Sequence, residues 1–136
     1  MIRPAALVLT AAAALAACTP TPSTPPTHEG TVPLGPYYIV GLGREAVPTR
    51  NATLNLAPGQ ITGQGPCNTF VATNAAKLPA IQITSFQAGQ STCRDSAMES
   101  RYFSALQQAT SAEYSGGVMI VKGPVWITYE AGTLAQ

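Results

Sequence analysis

Ser96-Ala97-Met98-Glu99-Ser100-Arg101-Tyr102-Phe103-Ser104-Ala105-Leu106-Gln107-Gln108-Ala109-Thr110 is the one stretch of this chain with a helical period. Met98, Tyr102, Leu106 and Ala109 recur at steps of four, four and three, which lines them up as one apolar stripe, and Phe103 widens it. Ser96 and Glu99 have the spacing of a capping box, in which each side chain satisfies the other residue's backbone N–H. Asp95 and Glu99 also place negative charge where a helix N-terminus favours it. The helix is expected to end by Thr110.

Working outward, the flanking segments read as strands. Downstream, Ala112–Ser115 is short and β-like, Gly116-Gly117 marks a turn, and Val118–Val121 is β-branched apart from Met119. Lys122-Gly123-Pro124 is expected to turn the chain into a last strand, Val125–Tyr129. Upstream, Tyr37–Val40 reads as a strand stopped by Gly41 and Gly43, and Ala52–Leu56 alternates as a half-buried strand does. Pro58-Gly59 offers a turn, with Gln60–Gly63 returning as the second arm of a hairpin. Phe70–Thr73 is another short strand. In Ala80–Phe86 the alternation places Ile81, Ile83 and Ser85 on one face and Gln82, Thr84 and Phe86 on the other. Many strands around one helix predict an α+β domain.

The N-terminus carries an address. One basic residue, Arg3, precedes Ala5–Ala17, a run of Ala, Leu, Val and one Thr. At about 13 residues it suits the core of a secretory leader and is short of the roughly 20 needed to span a bilayer. It ends in Leu15-Ala16-Ala17-Cys18, which resembles the lipobox of bacterial lipoproteins. The resemblance implies cleavage of residues 1–17 and acylation of Cys18 with two or three chains, enough for lasting attachment to a membrane. Thr19 stands where an Asp would favour retention in the inner membrane, so the expected location is the periplasmic side of the envelope, at the outer membrane in preference to the inner.

Residues 18–33 follow as the acylated cysteine and a Pro/Thr-rich tether. TPTPSTPPTHEGTV (19–32) is nearly devoid of apolar side chains and cannot offset its own ordering entropy. Extended at about 3.1 Å per residue it would reach roughly 40 Å. The folded domain is expected over 34–136, beginning near Leu34. No internal repeat is present.

Charge and composition exclude several functions. The chain has seven Lys/Arg, one of them in the leader, against six Asp/Glu. The remaining basic residues (Arg44, Arg50, Lys77, Arg94, Arg101, Lys122) are scattered singly, whereas nucleic acid and anionic headgroups both call for clusters. His28, the sole histidine, falls in the tether, where it cannot be held in the geometry of a catalytic triad.

The stretch Gly63-Gln64-Gly65-Pro66-Cys67-Asn68-Thr69-Phe70 resembles the glycine-then-Cys-Asn-x-aromatic signature of the META domain, found in HslJ-like heat-inducible envelope proteins and many bacterial lipoproteins. Cys93 is followed by Glu99, Tyr102 and Leu106 in the pattern of the helix after that family's second cysteine, and the final Gly-Gly and strand also fit. The similarity covers roughly Leu34 to Glu130. The chain departs from the pattern at Pro66, at Gly89 and at Tyr37/Tyr38, which stand in for glycine, threonine and an N-terminal tryptophan. The resemblance implies a small twisted antiparallel β-sheet or partial barrel with one amphipathic helix packed on it. It supplies no catalytic residues.

Cys67 and Cys93 are the pair left once Cys18 is acylated, and outside the cytoplasm such a pair reads as a disulfide. A free thiol and a metal site are the alternatives, the latter disfavoured by the lack of a nearby His. Asp95 with Glu99, or Glu113 with Glu130, could in principle act as paired carboxylates, but glycoside hydrolysis needs them facing at about 5 to 9.5 Å. Gly63-Gln64-Gly65 has no Lys or helix start after it, so it reads as a turn and not a phosphate loop. Tyr37, Tyr38, Trp126 and Tyr129 suit strand core packing better than a stacking platform for sugars. Asn68 is expected to bond local backbone. No cofactor or metal is expected. The sequence thus reads as a lipid-anchored, non-enzymatic envelope protein, an interaction or envelope-stress module touching an envelope partner through a strand edge or the Gly59–Phe70 loops. The alternative is an inhibitor or small-ligand binder acting on an envelope hydrolase.

Overall fold

A computed structural model describes Cys18, His28–Glu29 and residues 31–133. The expected leader, 1–17, and most of the expected tether lie outside the described residues. Two short strands, β1 (His28–Glu29) and β2 (Val32–Pro33), pair with each other. His28, expected in a structureless tether, therefore belongs to a small antiparallel ladder opposite Pro33. Val32, also assigned to the tether, is fully buried and joins the core.

The main sheet is antiparallel throughout. Its strands are β3 (Gly35–Leu42), β4 (Glu45–Ala46), β5 (Thr53–Ala57), β6 (Gln60–Gln64), β7 (Thr69–Asn74), β8 (Ile83–Ala88), β9 (Ser111–Ser115), β10 (Val118–Lys122) and β11 (Ile127–Ala131). They run in the order β8-β7-β6-β5-β3-β11-β10-β9, with β4 off the path and paired to β3. The single helix among the described residues, α1 (Ser96–Gln107), connects the two edge strands β8 and β9. Ala80 bridges to Ser111, drawing the edges together at one end, and the curled sheet forms a half-barrel with α1 packed on it. The α+β reading of the sequence holds.

Local chemistry explains the turns. Pro58 presets φ for a two-residue loop, and Gly59 takes φ +71, so Ala57 pairs with Gln60 and β5 with β6. Gly116 and Gly117 both have positive φ, as the tight turn between β9 and β10 requires. Gly41 does not stop β3, contrary to expectation: a bulge opposite Thr128/Tyr129 carries the strand on through Leu42, and Gly43, at φ +60, ends it. A second bulge changes the reading of β8. Thr73 pairs with Ser85 but Asn74 with Ile83, so Thr84 is the extra residue and the alternation slips by one. Phe86 consequently turns inward and Ser85 outward, the reverse of the sequence expectation.

The core lies between the concave face and α1. Tyr37, Ile39, Leu54, Tyr102, Met119, Ile127 and Tyr129 are essentially inaccessible. Phe70 stacks on Phe86 at 5.2 Å and meets Phe103 and Tyr102 edge-on. The Tyr129 hydroxyl donates to that of Tyr102 at 2.9 Å, which satisfies a polar pair in the apolar centre. The apolar cavity among Leu54, Phe70, Ile81, Leu106 and Met119 has about 10 Å³ of free space, at the lower limit for one water and too little for a ligand.

Two outcomes follow from this packing. Phe70→Ala should cost about 3–5 kcal/mol in denaturant unfolding, whereas Val71→Ala, on the exposed side of β7, should stay within about 0.5 kcal/mol. Burial pushes the Tyr37 hydroxyl up to about 12 and holds those of Tyr102 and Tyr129 well above the ordinary phenol range. The unfolded chain loses these protons from about pH 10 while the folded chain keeps them, so the three phenols leave stability unchanged well below pH 10 and lower it as pH rises further. Denaturation midpoints across pH 9–12 test this, and Tyr37→Phe should remove part of the slope.

Candidate functional site

The family-like stretch Gly63–Phe70 is not an open loop. Gly63 lies within β6, and from Gly65 onward the chain turns under α1. Glu99, only 7% exposed, directs its carboxylate into this turn. One oxygen accepts the backbone N–H groups of Cys67 (2.6 Å) and Asn68 (2.8 Å), and the other accepts the Asn68 amide at 2.6 Å. Three donors answer the charge of a buried carboxylate. The Asn68 side chain also exchanges two bonds with the Ser91 backbone, donating at 2.8 Å and accepting at 2.9 Å, as a strand residue would. Its partners are therefore the backbone of a distant loop as well as Glu99. Glycines make room: a Cβ at Gly65 would meet Glu99 Oε2 at 2.6 Å, and one at Gly89 would meet Asn68 Oδ1 at 2.6 Å.

The expected capping box does not form, because Glu99 finds three donors inside the domain where the helix end offers one. Asp95 is the N-cap but its side chain makes no capping bond, and Ser96 Oγ closes on Cys93, accepting from its N–H and donating to its carbonyl. Beside this network Cys67 and Cys93 form the expected disulfide, with Cα atoms 5.6 Å apart across 26 residues. Chain entropy assigns such a crosslink about 3.5 kcal/mol. The disulfide ties the β6–β7 turn to the loop before α1, and the carboxylate ties the same turn to the first turns of the helix that follows that loop.

The other candidate residues are dispersed. Cys18 is exposed and free. Asp95 accepts a bond from Asn51, while Glu113 pairs with Lys122 at 2.6 Å and Glu130 accepts from Tyr38. That hydrogen bond to a carboxylate raises the Tyr38 hydroxyl above its ordinary value. Neither carboxylate pair is brought face to face by these contacts. Among the described residues no cluster of His, Cys, Asp and Glu could hold a metal.

The four aromatics divide. Tyr37 and Tyr129 are core, and Tyr38 is half-buried beneath Arg50. Trp126 is 51% exposed and its neighbour Val125 42%. The expected strand Val125–Tyr129 begins only at Ile127, for a local reason. The Lys122 carbonyl accepts from Thr110 N–H at 2.8 Å, just after α1, and Gly123 packs so close that a Cβ would meet Gln108 O at 2.8 Å. The strand is thereby drawn to the helix C-terminus, and the next residues stand off the sheet. Trp126 keeps its carbonyl on Gly43 N–H at 2.7 Å, while Lys122 Nζ lies 4.9 Å from its ring centre.

This corner opens onto a groove of about 510 Å³ between α1 and the β3–β4 turn. Leu42, Ala105 and Val125 line it with apolar surface, Arg44 and Glu45 come from the turn, and Ser104 and Gln108 come from the helix. A contiguous hollow reaches Pro124 and Trp126. The groove was not anticipated from the sequence; the sole tryptophan of the chain following Gly-Pro was the available signal.

Glu99→Gln should cost about 1–3 kcal/mol, because the one oxygen left can still accept from the two backbone N–H groups but the new NH₂ faces that of Asn68, donor against donor, and the charge that strengthened all three bonds is gone. Removing the disulfide by Cys67→Ala with Cys93→Ala should cost about 2–4 kcal/mol. Since either tie alone still holds the turn to the loop or to the helix it leads into, the triple variant should lose at least about 0.5 kcal/mol more than the sum. Urea unfolding of the four proteins measures this, and strict additivity would show that the ties act independently.

Comparison with known proteins agrees with this architecture. No curated protein matches the chain. Among solved structures, a DUF4847 family protein from Bacteroides vulgatus ATCC 8482 superimposes with a TM-score of 0.57 at 13% identity, over 74% of this chain and 94% of that one. A protein from Burkholderia xenovorans, solved by NMR, gives 0.59 at 16% identity, over 84% of this chain and 100% of that one. At such identities the likeness is one of fold. Residues 31–132 match the family model of the META domain, nearly the whole of what the structure describes, and the chain belongs to the META domain family.

Proposed function

We propose that this META domain is a non-enzymatic docking module of the bacterial cell envelope, anchored by acyl groups on Cys18 and engaging a partner protein through the Val125–Trp126 corner. The observation that carries the reading is the half-exposed Trp126, in a fold that buries Tyr37, Tyr102 and Tyr129 completely. Exposing a tryptophan leaves a large apolar area in water, and tryptophan is the residue type most enriched at binding hot spots.

The position of the corner supports display from a membrane. The chain enters the sheet at Gly35, the start of β3, and the Gly43–Trp126 bond lies beyond the other end of the same strand. Eight residues at about 3.3 Å each separate the two by roughly 26 Å. A domain tethered through Cys18 would hold the corner away from its anchor. The Leu15–Cys18 lipobox and the Thr19 that follows it favour the outer membrane. A second reading, an inhibitor or small-ligand binder acting on an envelope hydrolase, draws on the groove's 510 Å³, a volume suited to a small molecule.

A photo-crosslinking residue at position 125, with another at the exposed Asn55 as control, tests the proposal in intact cells. The anchored protein should capture one dominant, saturable partner from position 125 alone. Cys18→Ser should shift the protein out of the membrane fraction, remove the acyl mass from that residue and abolish capture. Equal capture from both positions, or none, would sink the docking reading and leave the small-ligand one.

A further inference from the structure

We propose that the groove takes an extended peptide segment of the partner that is both apolar and acidic, with an aliphatic or aromatic side chain against the exposed Val125, over a floor closed by the buried Leu42 and Ala105, and a carboxylate on Arg44. The inference rests on the docking reading above and names the chemistry of its ligand. It is carried by charge. Arg101, on the α1 wall, is neutralised by Glu45 through two hydrogen bonds, at 2.8 and 3.3 Å. Lys122, against the Trp126 ring, is neutralised by Glu113. Arg44, also exposed, has no carboxylate within ion-pair distance among the described residues. One unanswered positive charge thus stands beside an apolar floor, where the low polarity of the wall strengthens its attraction for an anion.

The same accounting separates a peptide from a sugar. A glycan needs free planar donors and acceptors to fix its hydroxyls, and the groove's amide nitrogen and its Arg101–Glu45 pair are turned to partners of their own. The Gln108 amide donates to the Ser104 carbonyl at 3.2 Å and to its hydroxyl at 2.9 Å, and the Arg101 guanidinium is spent on Glu45. The charged group left without a counter-charge there is one guanidinium, beside apolar surface and an indole ring, with the Ser100 hydroxyl and the Gln108 carbonyl oxygen as the neutral polar atoms still open. That set matches a hydrophobic side chain with a carboxylate a residue or two away.

Trp126 is the sole tryptophan, so its fluorescence reports this end of the groove alone. Random heptapeptides displayed on phage would be selected on the immobilised full chain, and the enriched sequences synthesised and titrated while following Trp126 emission. Enriched peptides should carry Asp or Glu within a few positions of Leu, Ile, Phe or Tyr and should shift that emission saturably. Arg44→Gln should weaken them by about 10- to 100-fold, the loss of one charge-assisted hydrogen bond, while Arg94→Gln, exposed elsewhere, should leave them unchanged. No enrichment, enriched peptides without acids, binding indifferent to Arg44→Gln, or a chitooligosaccharide that moves Trp126 emission when peptides do not would each overturn the proposal. A cellular partner captured from position 125 alongside any of these results would leave docking in place and remove only this ligand chemistry.

Discussion

A single buried carboxylate sets how the helix sits on the sheet. Glu99 extends from the buried face of α1 into a turn whose backbone N–H groups have no strand partner, and it satisfies two of them together with an amide. A charge placed there without donors would cost several kcal/mol, so the helix can seat in one rotation and one register. Once it is seated, Tyr102 and Leu106 fall into the half-barrel and Phe103 closes over Phe70. The disulfide holds the same turn to the loop that leads into the helix but carries no directional demand comparable to the carboxylate's.

The extent to which this was legible follows from where each residue's decisive partner lies. Ala52–Leu56 and Phe70–Thr73 alternate because one face of each strand is buried, and that is visible locally. The two-residue turns at Pro58-Gly59 and Gly116-Gly117 depend on φ alone, which proline and glycine declare. The apolar stripe of α1 is likewise its own evidence. Ser96 and Glu99 misled because their spacing satisfies a local motif that loses to distant donors at Cys67 and Asn68. In β8 a single extra residue, Thr84, inverted the faces, and nothing in Ile83–Phe86 itself signals a bulge imposed by pairing with β7. Trp126 was misplaced for a related reason. Its aromatic, β-compatible neighbourhood reads as strand, and only the pull of Thr110 on the Lys122 carbonyl shows that the strand has not yet begun.

The exposed corner is thus a by-product of closure. To bring β9 beside Ala80, the chain must leave α1 sharply, and it uses the Lys122 carbonyl as an anchor for that exit. The β10–β11 connection, relieved of its ladder, becomes a four-residue excursion from Gly123 to Trp126. A rigid scaffold carrying an irregular loop is the arrangement on which proteins commonly place recognition, because loop side chains can vary without disturbing the core.

The central position of β3 has a mechanical side. It is the first long strand after the N-terminal segment, it is flanked by β5 and β11, and its far end is bonded to the Trp126 loop. Tension applied between the chain's entry at Gly35 and a load held at that loop runs parallel to the strand. The cross-strand bonds on both sides are then stressed in shear and must yield together, whereas peeling from an edge would break them one at a time. Along this axis the domain is built as a tension member, and its weak direction lies across the sheet, at β8 and β9.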